Sequence, residues 1–190
     1  LVRISGQDLT QGFPGTPKFA AILIDNIIAN NVAGLAGGGV SLQDAPQTQI
    51  LHNTIANNDS TATAGEAFAP GSPNRSTSQP AGIVARQHSP ELLAALAPAL
   101  PRFSSPKLVN SIIRHNRSFY FLVDPSLPAP GFGLRPDPGS PVFSDLAVLG
   151  TPGTINAQSC LTSSSAVDPQ FVSEYPNGSR GQTILLAGGT

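Results

Sequence analysis

Ile24-Asp25-Asn26-Ile27-Ile28-Ala29-Asn30-Asn31 is the first of three segments that align without gaps. The second is Leu51-His52-Asn53-Thr54-Ile55-Ala56-Asn57-Asn58, and the third is Val109-Asn110-Ser111-Ile112-Ile113-Arg114-His115-Asn116. Each has an aliphatic residue, two polar residues, a usually aliphatic residue, Ile, any residue, Asn or His, and a final Asn. A weaker copy occupies residues 4–12. Internal repetition of this kind indicates a fold built from stacked copies of one short unit.

The repeated units predict strands rather than helices. They are short and rich in β-branched residues, and Asn, Gly and Pro interrupt them every few residues. A second landmark also recurs, because Gly39-Val40-Ser41-Leu42 follows the first copy and Gly82-Ile83-Val84-Ala85 follows the second after an insertion. A unit of this length cannot bury its own apolar side, whereas stacked units share one continuous core.

Stacking of equivalent positions predicts three apolar ladders and one polar ladder. The expected interior ladders are Ile24, Leu51 and Val109; Ile28, Ile55 and Ile113; and Val40 with Ile83. Asn31, Asn58 and Asn116 are expected to form an Asn ladder at a turn, with each side-chain amide bonded to the next. Asn also tolerates left-handed backbone geometry, which such a turn would require.

The repeat units resemble right-handed parallel β-helix repeats of the pectate-lyase-like superfamily in its broad sense. The resemblance is carried by Asn-Ile-Ile-Ala-Asn-Asn (26–31) and Asn-Thr-Ile-Ala-Asn-Asn (53–58), and by the Gly-led strands that follow them. Val167-Asp168-Pro169-Gln170-Phe171-Val172 resembles a segment near the C-terminal end of secreted bacterial β-helix domains. The resemblance implies an all-β, single-stranded right-handed parallel β-helix. It does not imply one activity, since the superfamily contains lyases, hydrolases, adhesins and phage spikes.

Composition excludes several other classes of protein. The 190 residues carry a net charge of −1, only 11% of them are charged, and glycine and proline contribute 19 residues each. A helical bundle would need fewer breakers, and a nucleic-acid-binding protein would need a basic excess. No apolar run is long enough to span a bilayer, so membrane insertion is not expected. Cys160 is the single cysteine, which excludes an intrachain disulfide and a cysteine metal cluster. We expect no metal and no cofactor.

We interpret residues 1–190 as one β-helix domain or a fragment of a larger one. The chain starts at Leu1 and contains no Met, so we expect a mature form, a proteolytic piece or a segment. Lateral insertions are predicted at 59–80, 88–106 and 124–141. Ser89-Pro90-Glu91 is a helix-start pattern, which predicts a short helix near 90–97. Six prolines make 124–141 an extended loop without sheet, and weaker strands are expected near 142–149, 154–158, 170–172 and 182–186.

A few residues are candidates for chemistry. Asp25 and His52 share one repeat position with Asn110, so a carboxylate could orient a histidine base, although a solvent-facing polar ladder explains the same pattern. Arg114 is a third, weak catalytic candidate, because a cationic side chain removes the proton in the lyases of the superfamily. Tyr120, Arg114 and Arg117 are candidate binding residues. The acidic residues are scattered, and neither the paired carboxylates of glycosidases nor an acidic calcium site can be identified.

Three functional hypotheses follow. The first is a non-catalytic structural or interaction module of a larger secreted or cell-surface protein of bacterial type, which presents its loops to a protein or glycan partner. The second is a polysaccharide-binding or polysaccharide-cleaving β-helix, which is supported by resemblance alone. The third is an accessory subunit of a multi-subunit assembly, with the apolar helix face near Leu92, Leu93 and Leu96 buried against another chain. In each case a partner or the parent chain should cap the open ends of the β-helix.

Overall fold

The computed structural model describes residues 21–96, 98–123, 126, 133–137 and 142–171. This part of the chain consists mostly of short parallel strands in stacked sheets, with little helix. The predicted weak repeat copy at 4–12 and the predicted strand at 182–186 lie outside the described residues.

The strands follow one another in successive passes, and a pass is one set of consecutive strands that recurs along the chain. The first pass is β1 (Ile22–Ile24), β2 (Ile27–Ala29), β3 (Val32–Ala33) and β4 (Val40–Leu42). The second is β5 (Gln49–Leu51), β6 (Thr54–Ala56), β7 (Asp59–Ser60) and β8 (Ile83–Arg86). The third is β9 (Lys107–Val109), β10 (Ile112–Arg114) and β11 (Arg117–Ser118), then the hairpin strands β12 (Tyr120–Leu122) and β13 (Gly133–Arg135), then β14 (Leu146–Leu149). The fourth is β15 (Ala157–Gln158) and β16 (Leu161–Thr162).

Each of the first three passes contributes one strand to each of four parallel sheets, and the fourth pass extends two of them. The strand orders are β1-β5-β9-β15, β2-β6-β10-β16, β3-β7-β11 and β4-β8-β14. The register joins equivalent positions of the repeat copies, so that Ile28 pairs with Ile55 and Ile55 with Ile113. The sequence alignment therefore gives the strand register of the structure.

Two of the three expected apolar ladders are internal. Ile55, Ile113 and Ile83 are fully buried, while Ile28 and Val40 are partly buried and pack against the same core cluster. Val40 pairs with Ile83 as expected, and Leu146 extends that ladder by one strand.

The third ladder has the expected register but not the expected burial. Ile24 pairs with Leu51 and Leu51 with Val109, yet Ile24 is 47% exposed and the other two are half-buried. The core positions of this sheet are instead Ile50 and Leu108, at 0% and 1% exposure. Successive side chains of a strand point to opposite faces of the sheet. Ile24, Leu51 and Val109 were assigned to the inward face, but that face belongs to the residues one position earlier.

Glycine precedes β4 and β8 because the backbones of successive passes come very close together at these points. A Cβ built on Gly38 would lie 2.4 Å from the carbonyl oxygen of Asp59, and one on Gly82 would lie 2.1 Å from that of Asp145. Both distances are far inside van der Waals contact. Glycine at these two positions therefore permits the close approach of successive passes.

The insertions differ in detail from the predicted ones. Asp59–Ser60 is a strand that pairs with β3 and β11, so the first insertion starts after Ser60. The helix α1 spans Pro90–Ala95, and the Ser89 side chain caps it by accepting from the Leu92 N–H. The prediction that 124–141 contains no sheet is wrong for Gly133–Arg135, which pairs antiparallel with β12. Proline flanks these three residues but does not occupy them, so they keep their amide donors. No strand lies at 170–171, and residue 172 is outside the described part.

Candidate functional site

The Asn ladder is the most regular polar feature of the molecule. Asn31 donates its Nδ2–H to Oδ1 of Asn58 at 2.9 Å, and Asn58 donates in the same way to Asn116 at 2.8 Å. The backbone N–H of each residue also donates to the Oδ1 of the next. Asp145 ends the ladder, because its carboxylate accepts from both Asn116 nitrogens and from the Ser163 N–H. The predicted bonding is therefore present, with a buried carboxylate as its last member.

Left-handed backbone geometry occurs beside the ladder rather than in it. The residues with positive φ at the two corners of the repeat are Asp25, His52 and Asn110 at one corner, and Asn30, Asn57 and His115 at the other. The expectation that Asn31, Asn58 and Asn116 adopt this geometry is wrong by one position. Short polar residues suit the corners because they tolerate the left-handed region, whereas the ladder positions are occupied for their hydrogen bonds.

A second polar ladder was not anticipated. Asn26 donates from both its backbone N–H and its Nδ2–H to Oδ1 of Asn53. The Asn53 N–H donates to Oγ of Ser111, and the Ser111 N–H donates to Sγ of Cys160 at 3.4 Å. Burial raises the pKa of the Cys160 thiol, and its sulfur acts here as a structural acceptor. The recurrence of Asn at the third position of the first two repeat copies was the available signal.

Asp25 and His52 meet on the surface. Oδ1 of Asp25 lies 3.8 Å from Nδ1 of His52, and their side chains are 75% and 58% exposed. Asn110 continues the row, with its Nδ2 3.4 Å from Nε2 of His52. This solvent-facing row at a left-handed corner resembles the polar ladder more than a catalytic dyad, because both side chains of the pair are mostly exposed to solvent.

The two arginines proposed for binding have protein partners. Arg114 donates from Nη1 to the backbone carbonyl of Val167. Arg117 makes a two-point contact with the carboxylate of Asp59, at 2.8 and 2.7 Å, on the neighbouring strand of its sheet. Nothing in the described part of the chain joins Arg114 to Asp25 or His52, so the three catalytic candidates do not converge.

Tyr120 is covered by a cation. The guanidinium of Arg75 lies 4.2 Å from the centre of the Tyr120 ring, and Arg75 also pairs with Asp137 at 3.5 Å. This cation–π contact occupies the face that a sugar would use for stacking. Phe143 is a more open aromatic ring, at 41% exposure, and it packs on His115 with a centroid distance of 4.8 Å.

The apolar face of α1 packs within its own chain. Leu92 and Leu96 are 4% and 6% exposed, and Leu93 is half-buried. The expectation that this face is free to dock on another chain is therefore wrong for Leu92 and Leu96.

The insertion that carries α1 contains a buried histidine that the sequence did not single out. The His88 side chain is fully inaccessible, and its Nδ1 lies 3.7 Å from Oδ1 of Asp44, beyond hydrogen-bonding distance. Asp44 Oδ1 instead accepts from the Ser89 N–H at 2.7 Å. Burial lowers the pKa of His88 below its ordinary value of 6.5, and the Asp44 carboxylate opposes this shift without cancelling it. Neither ring nitrogen has a hydrogen bond of good geometry to the described residues, although the Phe103 backbone also lies close enough to the ring to oppose the lowering of its pKa.

The first pass exposes a row of aliphatic side chains. Ile22, Ile24, Ile27 and Val32 are 55%, 47%, 61% and 62% exposed. Three of them face polar residues of the second pass in register, since Ile22 pairs with Gln49, Ile27 with Thr54 and Val32 with Asp59. We call these four residues the first-pass row.

Comparisons with known proteins identify no relative of this chain. A scan against protein-family models gives no match, and neither the curated proteins nor the solved structures contain a match. Within the described ranges, no group of three or more His, Cys, Asp or Glu side chains is arranged to hold a metal ion. No helix of that part is long and apolar enough to cross a bilayer.

Proposed function

We propose that the chain is a segment of a right-handed parallel β-helix that serves as a non-catalytic structural and interaction module of a larger secreted or cell-surface protein. The recurring strand order and the two polar ladders support the β-helix, because a solenoid repeats its contacts from one pass to the next. The right-handed sense and the extracellular location rest on the resemblance of the repeat units to secreted β-helix proteins.

The observation that carries the interaction role is the first-pass row. Exposed aliphatic side chains concentrated in one region mark interaction sites in soluble proteins, and the first-pass row stands where the next pass has Gln49, Thr54 and Asp59. The row lies along β1, β2 and β3, whose outer edges pair with no other strand of the described part. An edge that has no strand partner among the described residues, next to apolar side chains, favours a protein partner that adds strand hydrogen bonds and buries the row.

The test is cross-linking of the protein from its native source through Lys107. Lys107 shares the register column of Ile22 and Gln49, so its Cα lies two strand spacings, about 10 Å, from the Cα of Ile22, and its long side chain places the amine within cross-linking reach of a partner on the row. We expect peptide mapping to recover a cross-link to another polypeptide or to a distant part of the parent polypeptide.

The matched variant copies the second pass onto the first through Ile22→Gln, Ile27→Thr and Val32→Asp. It should fold, because all three side chains are exposed, and it should lose the cross-link. Val167→Thr, at an exposed aliphatic site elsewhere, should keep it. A cross-link that survives the triple variant, or its absence from the native protein, contradicts the interaction role.

Polysaccharide turnover is the rival outcome. The exposed Phe143 ring, packed on the half-buried His115 ring, is the aromatic surface that a glycan would contact. If the protein shortens a polysaccharide chain and Asp25→Asn with His52→Asn abolishes that activity, the module is an enzyme and the non-catalytic proposal is wrong.

A further inference from the structure

The first pass is the acceptor end of both polar ladders. In each ladder it donates a backbone N–H and a side-chain N–H to the second pass, from Asn26 to Oδ1 of Asn53 and from Asn31 to Oδ1 of Asn58. Within the part of the chain that the structure describes, no residue donates in turn to Oδ1 of Asn26 or Asn31. Both residues are exposed, whereas Asn53 and Asn58 are 1% and 0% exposed. The first pass therefore presents two open acceptors where the second pass has two satisfied ones.

The first-pass row turns two corners. Its four side chains lie on β1, β2 and β3, which belong to three different sheets. Asp25 and Asn30, with φ values of 56° and 59°, form the corners between these strands. A flat surface covers one sheet face at a time, whereas a segment that lies beside all three strands has to turn the same two corners. A further pass of the solenoid does so, because stacked repeats follow one path.

The residues before β1 are too few to make a whole pass. Equivalent residues of the first two passes, such as Asn26 and Asn53, are 27 positions apart, and the next spacing, from Asn58 to Asn116, is 58. Even the shorter spacing exceeds the 21 residues that precede Ile22. A complete further pass therefore needs polypeptide beyond residues 1–190, and a segment of a larger protein has such polypeptide in its parent chain.

We propose that a further β-helix pass of the parent polypeptide covers the first pass and donates hydrogen bonds to Oδ1 of Asn26 and Asn31. This inference rests on the proposed function and names the partner at its interface. A partner that buried these two oxygens without donors would leave them unsatisfied, which is costly. The further pass supplies backbone N–H groups and two Asn or Ser side chains five positions apart, which is the spacing of Asn26 and Asn31.

The sequence around the residue cross-linked to Lys107 tests this inference separately from the proposed function. We expect it to lie in the parent polypeptide outside residues 1–190. It should contain Asn or Ser, an aliphatic residue two positions later and Asn three positions after that, as at Asn53, Ile55 and Asn58. A cross-link to a segment without this pattern, or to a different polypeptide, overturns the inference and leaves the interaction role standing. Absence of any cross-link contradicts the interaction role itself, and this inference with it.

Two double variants of the parent polypeptide test the acceptors themselves. Asn26→Ala with Asn31→Ala removes both acceptor oxygens. Asn26→Ser with Asn31→Ser keeps an acceptor at each position, since Ser111 accepts the Asn53 N–H in the same ladder. Both variants lose the side-chain donation to the second pass, so this loss cancels when the two are compared. Both should fold, because the substituted residues are exposed in the described structure.

Hydrogen exchange of residues 22–33, followed by mass spectrometry, is the measurement. We expect exchange to be about 25-fold faster in the Ala variant than in the Ser variant, because each of two positions loses one net hydrogen bond and each bond corresponds to about fivefold. Asn74→Ala is the control, since it removes an exposed amide outside the repeat and should leave this exchange at the native rate. Equal exchange in the Ala and Ser variants would overturn the proposal.

Discussion

Asn58 and His88 are both buried, at 0% and 3% exposure, but they differ in the hydrogen bonds that their polar atoms make. The Asn58 amide accepts two hydrogen bonds from Asn31 and donates to Ile28 and Asn116. The nitrogens of the His88 ring make no hydrogen bond of good geometry in the described part of the chain. In the stacked passes, a copy of the same residue lies one strand spacing away and serves as a partner. The insertion occurs once, so a polar group buried there has no such copy.

The largest expected effect comes from breaking the first ladder with Asn58→Ser. The serine hydroxyl has one hydrogen to donate and cannot replace both donations of the amide, so either Asn116 Oδ1 or the Ile28 carbonyl loses a donor. We expect the free energy of unfolding to fall by about 2–3 kcal/mol. Urea denaturation of the native chain and the variant, followed by circular dichroism, measures the difference.

The same substitution in the second ladder, Asn53→Ser, is expected to cost only about 1 kcal/mol. Ser111 already occupies the equivalent position and both accepts the Asn53 N–H and donates to the Val109 carbonyl. Urea denaturation measures the free energy of unfolding of this variant as well. Equal losses of that free energy for Asn53→Ser and Asn58→Ser would show that serine replaces asparagine no better in the second ladder than in the first.

His88 should make the stability of the protein depend on pH. Its pKa is lowered in the folded state, so the unfolded chain takes up the proton more readily as the pH falls below 6.5, and the free energy of unfolding falls with it. The stabilisation is complete above that pH. The charged groups that act on the ring are Asp44 and Arg102. Thermal unfolding at pH 7.5 and 5.5 checks the sign.

His88→Leu tests the same residue by removal. Because it replaces an unpartnered buried group with an apolar one, we expect a change within about 1 kcal/mol at pH 7.5, in contrast to Asn58→Ser. The variant should also show a smaller loss between pH 7.5 and 5.5, while His52→Asn keeps the native loss. A large destabilisation at pH 7.5 would mean that His88 has a structural partner.

The smallest effect is expected for Cys160→Ser. The Ser111 N–H would then donate to a hydroxyl oxygen in place of sulfur, and Ser111 itself shows that serine fits the ladder. We expect a change in the free energy of unfolding within about 0.5 kcal/mol, measured by urea denaturation. A loss above 1 kcal/mol would indicate that the sulfur packs more tightly than its half-buried position suggests.

The sequence predicted much of the regular part and little of the insertions. Alignment of the copies gave the pairing of Ile28 with Ile55 and the bonds between Asn31, Asn58 and Asn116, because a repeat fixes which positions stack. It gave the wrong inward face at Leu51, since the corner after that strand resets the alternation of side chains. It also missed the strand at Gly133–Arg135, which forms only because β12 lies beside it.

The sequence by itself determined the repeat, the strand type, the register and the neutral polar ladders, because each of these depends on local propensity and on spacing that recurs along the chain. Only the tertiary structure brought Asp44 and His88 together across 44 positions and buried the helix face of Leu92. Those contacts join segments that occur once, so no periodicity in the sequence records them. Their energy comes from burial, which depends on what surrounds a residue and not on its own identity.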